Sequence, residues 1–384
     1  MRDFTRLLTS VLRANPAYEL VMFDRLDAAE REILVGLRRD PDFYGILRLR
    51  AASESRSVKS VDRESALLFL SLSEPSPLPG YARDTLGAQA GSTLARLVAD
   101  HVLEVELEGG FASGIDALQS LEPKASAGPK GRLASLACEA VRFASEFPSE
   151  APAKLTSLIY GYNRLPLTPR WQRTFQDTAA HARYLGLQPG GEAAAIVART
   201  WASQTVSPHW IFWSGRGNTV TARATGTYKL YISPTPEALS GDGFSQVAAA
   251  LRATRAATFK VGTGAAGLLR PDKTVAYFSD FESLAEAGQR IGERLAGMPV
   301  HGVPLTAEAA GNGLVSWGLD PPPDFGRPPA AESWRGWVAR RLASFIISAR
   351  TTNRDAWRYA IARLELEGVD PETWSPAADV FGES

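Results

Sequence analysis

"TYKLYIS", Thr227 to Ser233, alternates along its length and is dense in β-branched and aromatic residues, which predicts a strand. The alternation puts Tyr228, Leu230 and Ile232 on one face and Lys229, Tyr231 and Ser233 on the other. Further along, "FKVG" (Phe259 to Gly262) again sets a single lysine, Lys260, in an apolar run. Lysine is rarely buried without a partner, and a strand does not need one there. Between the two stretches "SQVAAALRATRA" has helical spacing, and after them "LLRPDKTVAYF" leads into another strand. "WIFWSG" reads as one more strand, and "DFESLAEAGQRIGERLAG" and "AESWRGWVARRLASFIISAR" read as helices. Strands and helices without a strict βαβ rhythm predict an α+β fold with a largely antiparallel sheet and flanking helices.

Upstream the texture changes. "RLASLACEAVRFASEF", "APAKLTSLIYGYNRLPL" and "RWQRTFQDTAAHARYLGL" read as helices, and "QSLEPKASAGPKG" before them as a linker. The expected division is a module over residues 1–118, a linker over 119–131 and an α+β domain over 132–384. Within the first part, "LDAAEREILVGLRRD", "DRESALLFLSL", "PGYARDTLG" and "AGSTLARLVADHV" have helical patterning. "LEVELEGGFASG" then supplies two short strands around a Gly-Gly turn. Helices followed by a two-stranded wing form a winged-helix pattern. Its candidate recognition helix carries one arginine, Arg96, and one histidine, His101, and its wing is acidic, so the phosphate-neutralising charge of a DNA reader is missing.

Composition narrows the chemistry. At 384 residues, with 45% hydrophobic content, the chain is long enough for two cores. Its 42 basic and 42 acidic residues balance, so any anion site must be local, and neither nucleic acid nor membrane is an expected partner. A single cysteine, Cys138, excludes an intramolecular disulfide and a cysteine-based zinc site. Four histidines lack metal-ligand spacing, and no metal or other cofactor is expected. With no long apolar run, the expected location is cytoplasmic. The signatures GxSxG, GxxxxGK[ST] and HExxH are absent. "GTGAAG" (Gly262 to Gly267) follows a strand but lacks the third glycine offset of a dinucleotide loop.

What remains is a set of cations and phenols: Lys229, Lys260, Arg270 and Lys273, with Tyr231 and Tyr277. Converging, they would hold a phosphate or a carboxylate. Taken singly, each lysine would instead extend from an edge strand into water.

These stretches resemble the phosphothreonine lyase superfamily, in particular the Hop-type effector-like lyases of class V lanthipeptide pathways. That family carries a Lys-x-His strand followed by Ile/Val-Ser, then a Lys-Val strand, then a basic residue before a strand with tyrosine. Lys229 matches the phosphate-contacting lysine and Lys260 the general base. Arg270 or Lys273 matches the next phosphate clamp and Tyr277 the strand aromatic. "GVPLTAEAAGNGLVSWGLDPP" with "ESWRGWVARRLA" is similar to a later family region and makes Arg335 its late arginine. Tyr231 stands where the family has its general-acid histidine, a less favourable acid at neutral pH. The first part resembles PqqD-like peptide-recognition modules in element order. The resemblance implies β-elimination of phosphate from phospho-Ser/Thr of a ribosomal precursor peptide, giving dehydroalanine or dehydrobutyrine. It implies two partners, the phosphorylated precursor peptide and a separate Ser/Thr kinase, because this chain has no kinase motifs. Two alternatives stay open: a non-catalytic phosphopeptide-binding accessory of such a pathway, and a winged-helix regulator with an anion-sensing domain.

Overall fold

The computed structural model describes residues 4–37, 40–50, 58–123, 128–148, 151–215, 228–254, 256, 258–321, 332–350 and 355–381. The chain divides into two compact units. Met1–Ser126, Pro323–Ala330 and Phe345–Glu367 make the first, and Ala127–Pro322, Ala331–Ser344 and Gly368–Ser384 the second. Of the linker expected over 119–131, residues 124–127 lie outside the described residues.

The first unit opens with helix α1 (Thr5–Thr9), strands β1 (Val11–Ala14) and β2 (Tyr18–Met22), and helix α2 (Ala28–Leu34). Strands β3 (Phe43–Leu49) and β4 (Val58–Asp62), helix α3 (Arg63–Ser71) and strand β5 (Ser76–Pro77) follow. Helices α4 (Gly80–Leu86) and α5 (Ala90–Ala99), strands β6 (Leu103–Leu107) and β7 (Gly110–Ala112) and helix α6 (Ile115–Leu121) complete its N-terminal part. Asp62 caps α3 by accepting from the Ser65 amide (2.7 Å), the Asp-x-x-Ser pattern legible in the sequence. α5 is amphipathic and buries Leu94, Ala95, Leu97 and Val98.

The helices and the β6–β7 hairpin occur in the predicted order, but the hairpin is no free wing. It belongs to a four-stranded sheet ordered β5-β1-β6-β7. A three-stranded sheet ordered β2-β3-β4 accompanies it, five of these strands being unforeseen, so a winged helix does not follow from this topology. The second sheet rests on its own small core of Val21, Leu26, Leu34 and Ile46.

The second unit begins with helices α7 (Gly131–Glu146), α8 (Pro152–Gly161), α9 (Pro169–Thr174), α10 (Thr178–Tyr184) and α11 (Glu192–Thr200). The stretch read as one helix across 170–187 is two, because Asp177 turns extended and caps α10 by accepting from the Ala180 amide (2.6 Å). Strands β8 (Ser203–Val206), β9 (Trp210–Ser214) and β10 (Tyr228–Ile232), helix α12 (Gly243–Arg252) and strand β11 (Thr258–Gly262) come next. Helix α13 (Gly264–Leu268), strand β12 (Thr274–Phe278), helix α14 (Phe281–Arg294) and strands β13 (Ala307–Ala310) and β14 (Val315–Leu319) close the sheet. Helix α15 (Trp334–Arg350) contributes its residues up to Ser344 to this unit. Helix α16 (Ala356–Glu365) belongs to the first unit, and α17 (Ala378–Phe381) to the second.

The seven strands run β13-β14-β10-β12-β11-β9-β8, each pair antiparallel. With helices in both units the fold is α+β. One face is apolar: Leu230, Ile232, Phe259, Val261 and Ala276 are fully buried beneath Phe244 and Val247 of α12 and Leu284 and Ile291 of α14. Each large side chain so buried contributes roughly 1.5–3 kcal/mol. The α14–β13 contact is close: a Cβ at Gly292 would lie 2.5 Å from the Ala310 Cβ, so glycine sets that approach. The "GTGAAG" glycines act likewise, since a Cβ on Gly262 would meet the Gly267 backbone at 2.6 Å. They bring α13 tight onto β11. Among the described residues, no helix is long and apolar enough to cross a membrane.

Candidate functional site

The other face of the sheet carries the cations. Residues directly opposite in an antiparallel ladder share a face. Lys229 on β10 pairs with Tyr277 on β12 and Gly318 on β14. Lys260 on β11 pairs with Val275 on β12 and Phe212 on β9. Tyr231 also pairs with Val275. Lys229, Tyr231, Lys260 and Tyr277 therefore emerge on one side of the second unit. A Cβ at Gly318 would lie 2.7 Å from the Trp334 ring, so glycine there lets Trp334 pack beside Lys229.

The Lys260 ammonium meets aromatic faces: Trp210 at 4.2 Å from the ring centroid, Phe212 at 5.5 Å and Tyr277 at 5.6 Å. No acceptor among the described residues hydrogen-bonds or ion-pairs with it. Burial, helped by the like charge of Lys229 and Arg270, lowers its pKa to about 8, against the pull of Asp272 and Asp320. Lys229 differs. It ion-pairs with Asp320, which approaches from the solvent side, its side chain 34% exposed against 13% for the lysine.

Beside the lysines stands a second group. Arg270 forks onto Asp272, with Nε to Oδ1 and Nη2 to Oδ2 both at 2.8 Å. Arg335, from the first turn of α15, is 1% exposed and brings Nη1 to 2.9 Å from Asp272 Oδ2. That contact is an ion pair outside hydrogen-bond geometry. Arg335 Nε donates to the Pro304 carbonyl (3.1 Å) and Nη2 to the Tyr160 carbonyl (2.8 Å). Burial alone would raise the Asp272 pKa, but Arg335 and Arg270 outweigh it and hold the carboxyl well below the usual range. Arg270 also stacks near Trp210 (5.1 Å), so the ring under Lys260 borders both groups. Ser233 ties the arginine loop to the end of β10, its hydroxyl donating to the Pro271 carbonyl (2.6 Å).

Of the residues expected at the site, Lys229, Lys260, Arg270 and Tyr277 come together on this face, and Arg335, buried behind them, joins them through Asp272. Lys273 is a correction: its amine is fully buried and cannot reach an anion from solvent. It donates to the Pro234 carbonyl (2.9 Å) and to His301 Nδ1 (2.8 Å), and burial lowers its pKa to about 7. Tyr231 faces the site, but its hydroxyl is buried with no hydrogen-bond partner among the described residues, and desolvation raises its pKa well above that of a free phenol. Thr227, at the head of the stretch that predicted β10, lies outside the described residues.

Three residues were missed as site members. Tyr160 at the end of α8 and Trp210 on β9 lie in "YGYNRLPLTPRW" and "HWIFW", aromatic stretches that read as core and turn or as the wall of a peptide groove, not as parts of the anion site. Asp272 lay within the arginine–lysine loop, unremarked as a carboxylate. Among the described residues, no group of three histidine, cysteine, aspartate or glutamate side chains is arranged to hold a metal ion.

No protein-family model matches the chain, and no curated protein matches it. Two solved structures are similar to part of it. The effector protein from Pseudomonas syringae pv. syringae strain 61 is 16% identical, with TM-score 0.35, over 64% of this chain and 99% of that one. The effector protein from Pseudomonas syringae pv. tomato strain DC3000 is 13% identical, with TM-score 0.38, over 64% of this chain and 97% of that one. Likenesses of that depth carry no argument about this chain's chemistry.

Proposed function

We propose that the second unit is a lyase that eliminates phosphate from phosphothreonine or phosphoserine in a precursor peptide. One observation carries the reading: the Lys260 amine lies among aromatic faces with no carboxylate partner among the described residues, its pKa lowered to about 8, next to Lys229 and Arg270. β-Elimination needs a neutral base for a weakly acidic Cα–H and a cationic cradle for the departing dianion. Lys260 fits the first need. Lys229 and Arg270 fit the second, with phosphate taking the place of Asp320 at Lys229 and the buried Arg335 offsetting the Asp272 charge from behind. Tyr277, between the two lysines, forms the floor. The product is dehydrobutyrine or dehydroalanine, and a separate kinase supplies the phosphate. Gripping the leader of such a peptide is the role proposed for the first unit.

Incubating the protein with synthetic phosphothreonine peptides and following loss of phosphoric acid by mass spectrometry tests this. The wild type should release phosphate, and Lys260→Ala should lower the rate on the order of 10²–10⁴-fold, the span of a positioned general base. A wild type inactive on every peptide of a varied set sinks the lyase reading.

A second reading, a non-catalytic phosphopeptide binder, draws on Tyr231. Its orphaned, desolvated hydroxyl is a poor acid in the position where the resembling enzymes use histidine. Saturable phosphopeptide binding without phosphate loss would favour it.

A further inference from the structure

We infer that Tyr160 is the residue that protonates the departing phosphate, an assignment that rests on the lyase reading above. An acid for this step needs a hydroxyl aimed at an anionic oxygen, and surroundings that stabilise the phenolate left behind. Tyr160 meets both conditions. Its Oη donates to Asp272 Oδ2 (3.2 Å) and accepts from Arg270 Nη2 (3.0 Å). The proton thus already points at a carboxylate oxygen held by Arg270, the arginine that would receive the phosphate. A phenolate formed there keeps the Arg270 hydrogen bond, and Arg335 lies over its ring at 4.5 Å from the centroid. Tyr231 has none of this: its hydroxyl donates to nothing among the described residues and accepts from nothing.

Tyr160 is also held in place from behind. Arg335 Nη2 donates to its carbonyl (2.8 Å). Two residues beyond α8, Asn163 takes a left-handed φ of 65° and donates its side-chain amide to the carbonyls of His301 (3.2 Å) and Gly302 (3.0 Å). His301 returns the contact, Nε2 donating to the Asn163 carbonyl (2.6 Å) while Nδ1 accepts from Lys273. That tautomer requires a neutral imidazole, and burial together with the Lys273 charge lowers its pKa to about 3. The misplaced Lys273 thereby gains a use: with His301 it pins the end of α8, and so the phenol, to the start of β12.

The step balances. Lys260 Nζ takes the α-proton, and the Cα–H electrons form the Cα=Cβ bond. The Cβ–O bond breaks with its electron pair passing to the phosphate oxygen, and that oxygen takes the Tyr160 proton. Hydrogen phosphate leaves, and a proton passing from the Lys260 ammonium to the phenolate through solvent restores both groups.

The test compares wild type, Tyr160→Phe, and protein carrying 3,5-difluorotyrosine at position 160. It measures elimination against pH and affinity for a phosphonate peptide whose bridging CH₂ cannot leave. Tyr160→Phe should lower kcat on the order of 10²–10³-fold. It should bind the phosphonate within about threefold of wild type, since the lost hydroxyl is not a charged contact. The fluorinated phenol keeps the ring and both hydrogen-bonding roles of the hydroxyl, and as a more acidic donor it should raise kcat severalfold without changing phosphonate affinity. A kcat for Tyr160→Phe within about threefold of wild type overturns the assignment, because a positioned acid contributes more than that; so does a kcat that fluorination leaves unchanged. An inactive wild type overturns the lyase reading and this assignment together, whereas an active wild type with an indifferent Tyr160 overturns only the assignment.

Discussion

Each unit holds an arginine forked onto an aspartate, buried in the first unit and half-buried in the second, with a tyrosine hydroxyl on the same carboxylate. In the first, Arg363 grips Asp100 through Nε to Oδ1 (2.9 Å) and Nη2 to Oδ2 (3.0 Å), and Tyr359 donates to Asp100 Oδ1 (2.9 Å). In the second, Arg270, Asp272 and Tyr160 repeat the pattern. The excess charge differs. Arg363 also meets Glu367 at 3.4 Å, so one guanidinium lies between two carboxylates. Asp272 is one carboxylate between two guanidiniums, and Lys260 stands beside it without an acceptor among the described residues. A forked arginine is thus no signature of a site, since closed ion-pair networks shift pKa values as readily as active sites do. What marks the second cluster is a second guanidinium on the same carboxylate and, among the described residues, an amine without an acceptor.

The comparison breaks most sharply on its two arginines. Arg363→Met takes both forked contacts from Asp100, which is half-buried and keeps Tyr359 and the Lys59 charge, and should lower stability by about 1.5–3 kcal/mol. Elimination per folded molecule should stay as in the wild type. Arg335→Met leaves Asp272 its Arg270 fork but strips the Pro304 and Tyr160 carbonyls of their donor, so it too should cost about 1.5–3 kcal/mol, while elimination falls by at least tenfold because the Asp272 charge is then offset by Arg270 alone. Denaturant melts and phosphate release on the same preparations check both. If Arg335→Met changes stability alone, the two clusters are the same kind of object and the second is no anion site.

The unpaired amine sharpens the contrast through pH. An ammonium cannot accept a proton, so activity should require Lys260 neutral, rising about tenfold per pH unit below 8 and levelling above it. Asp272, held ionised by its arginines, adds no step in that range. Lys229→Met removes a like charge that lowers the Lys260 pKa, so the midpoint of its profile should move to higher pH. A midpoint unmoved by that change would detach the profile from Lys260.

How much of this was legible follows from range. β9, β10, β11 and β12 announce themselves because aromatic and β-branched residues alternate, and parity within β10 puts Lys229 and Tyr231 on one face, whereas Tyr277 joins them only through the β10–β12 register. β13 and β14 are hidden in "TAEAAGNGLVSWGL", whose small residues and glycines read as loop. The first unit's strands run to seven residues at most, and β5 to two, too short for periodicity to speak. The cations were visible because lysine is conspicuous in a strand. Their partners were not: Tyr160 reaches Asp272 across 112 positions and Arg335 reaches Tyr160 across 175, and no local pattern encodes such contacts. Lys273 misled because it precedes β12 in a basic loop, and only the fold shows that its amine turns inward to His301.

The smallest effect is expected at Tyr231, the residue whose identity most strains the lyase reading. Its ring packs with Val275 and Val303 on the site face and is 3% exposed, so the ring contributes packing. Its hydroxyl is desolvated without a partner among the described residues, an arrangement in which removing the polar atom relieves a penalty of about 1–3 kcal/mol. Tyr231→Phe keeps the ring and deletes only that atom. Stability should therefore hold or rise, by at most about 1 kcal/mol once the small cavity left by the oxygen is counted. If the proton comes from Tyr160, turnover should stay within about threefold, well short of the loss expected when a positioned acid is removed. Thermal melts and initial rates on one phosphothreonine peptide measure both. A stability gain joined to a hundredfold loss of turnover would return the acid's role to Tyr231. It would then match the first-unit cluster in nothing, and the desolvated hydroxyl would be strain kept for catalysis.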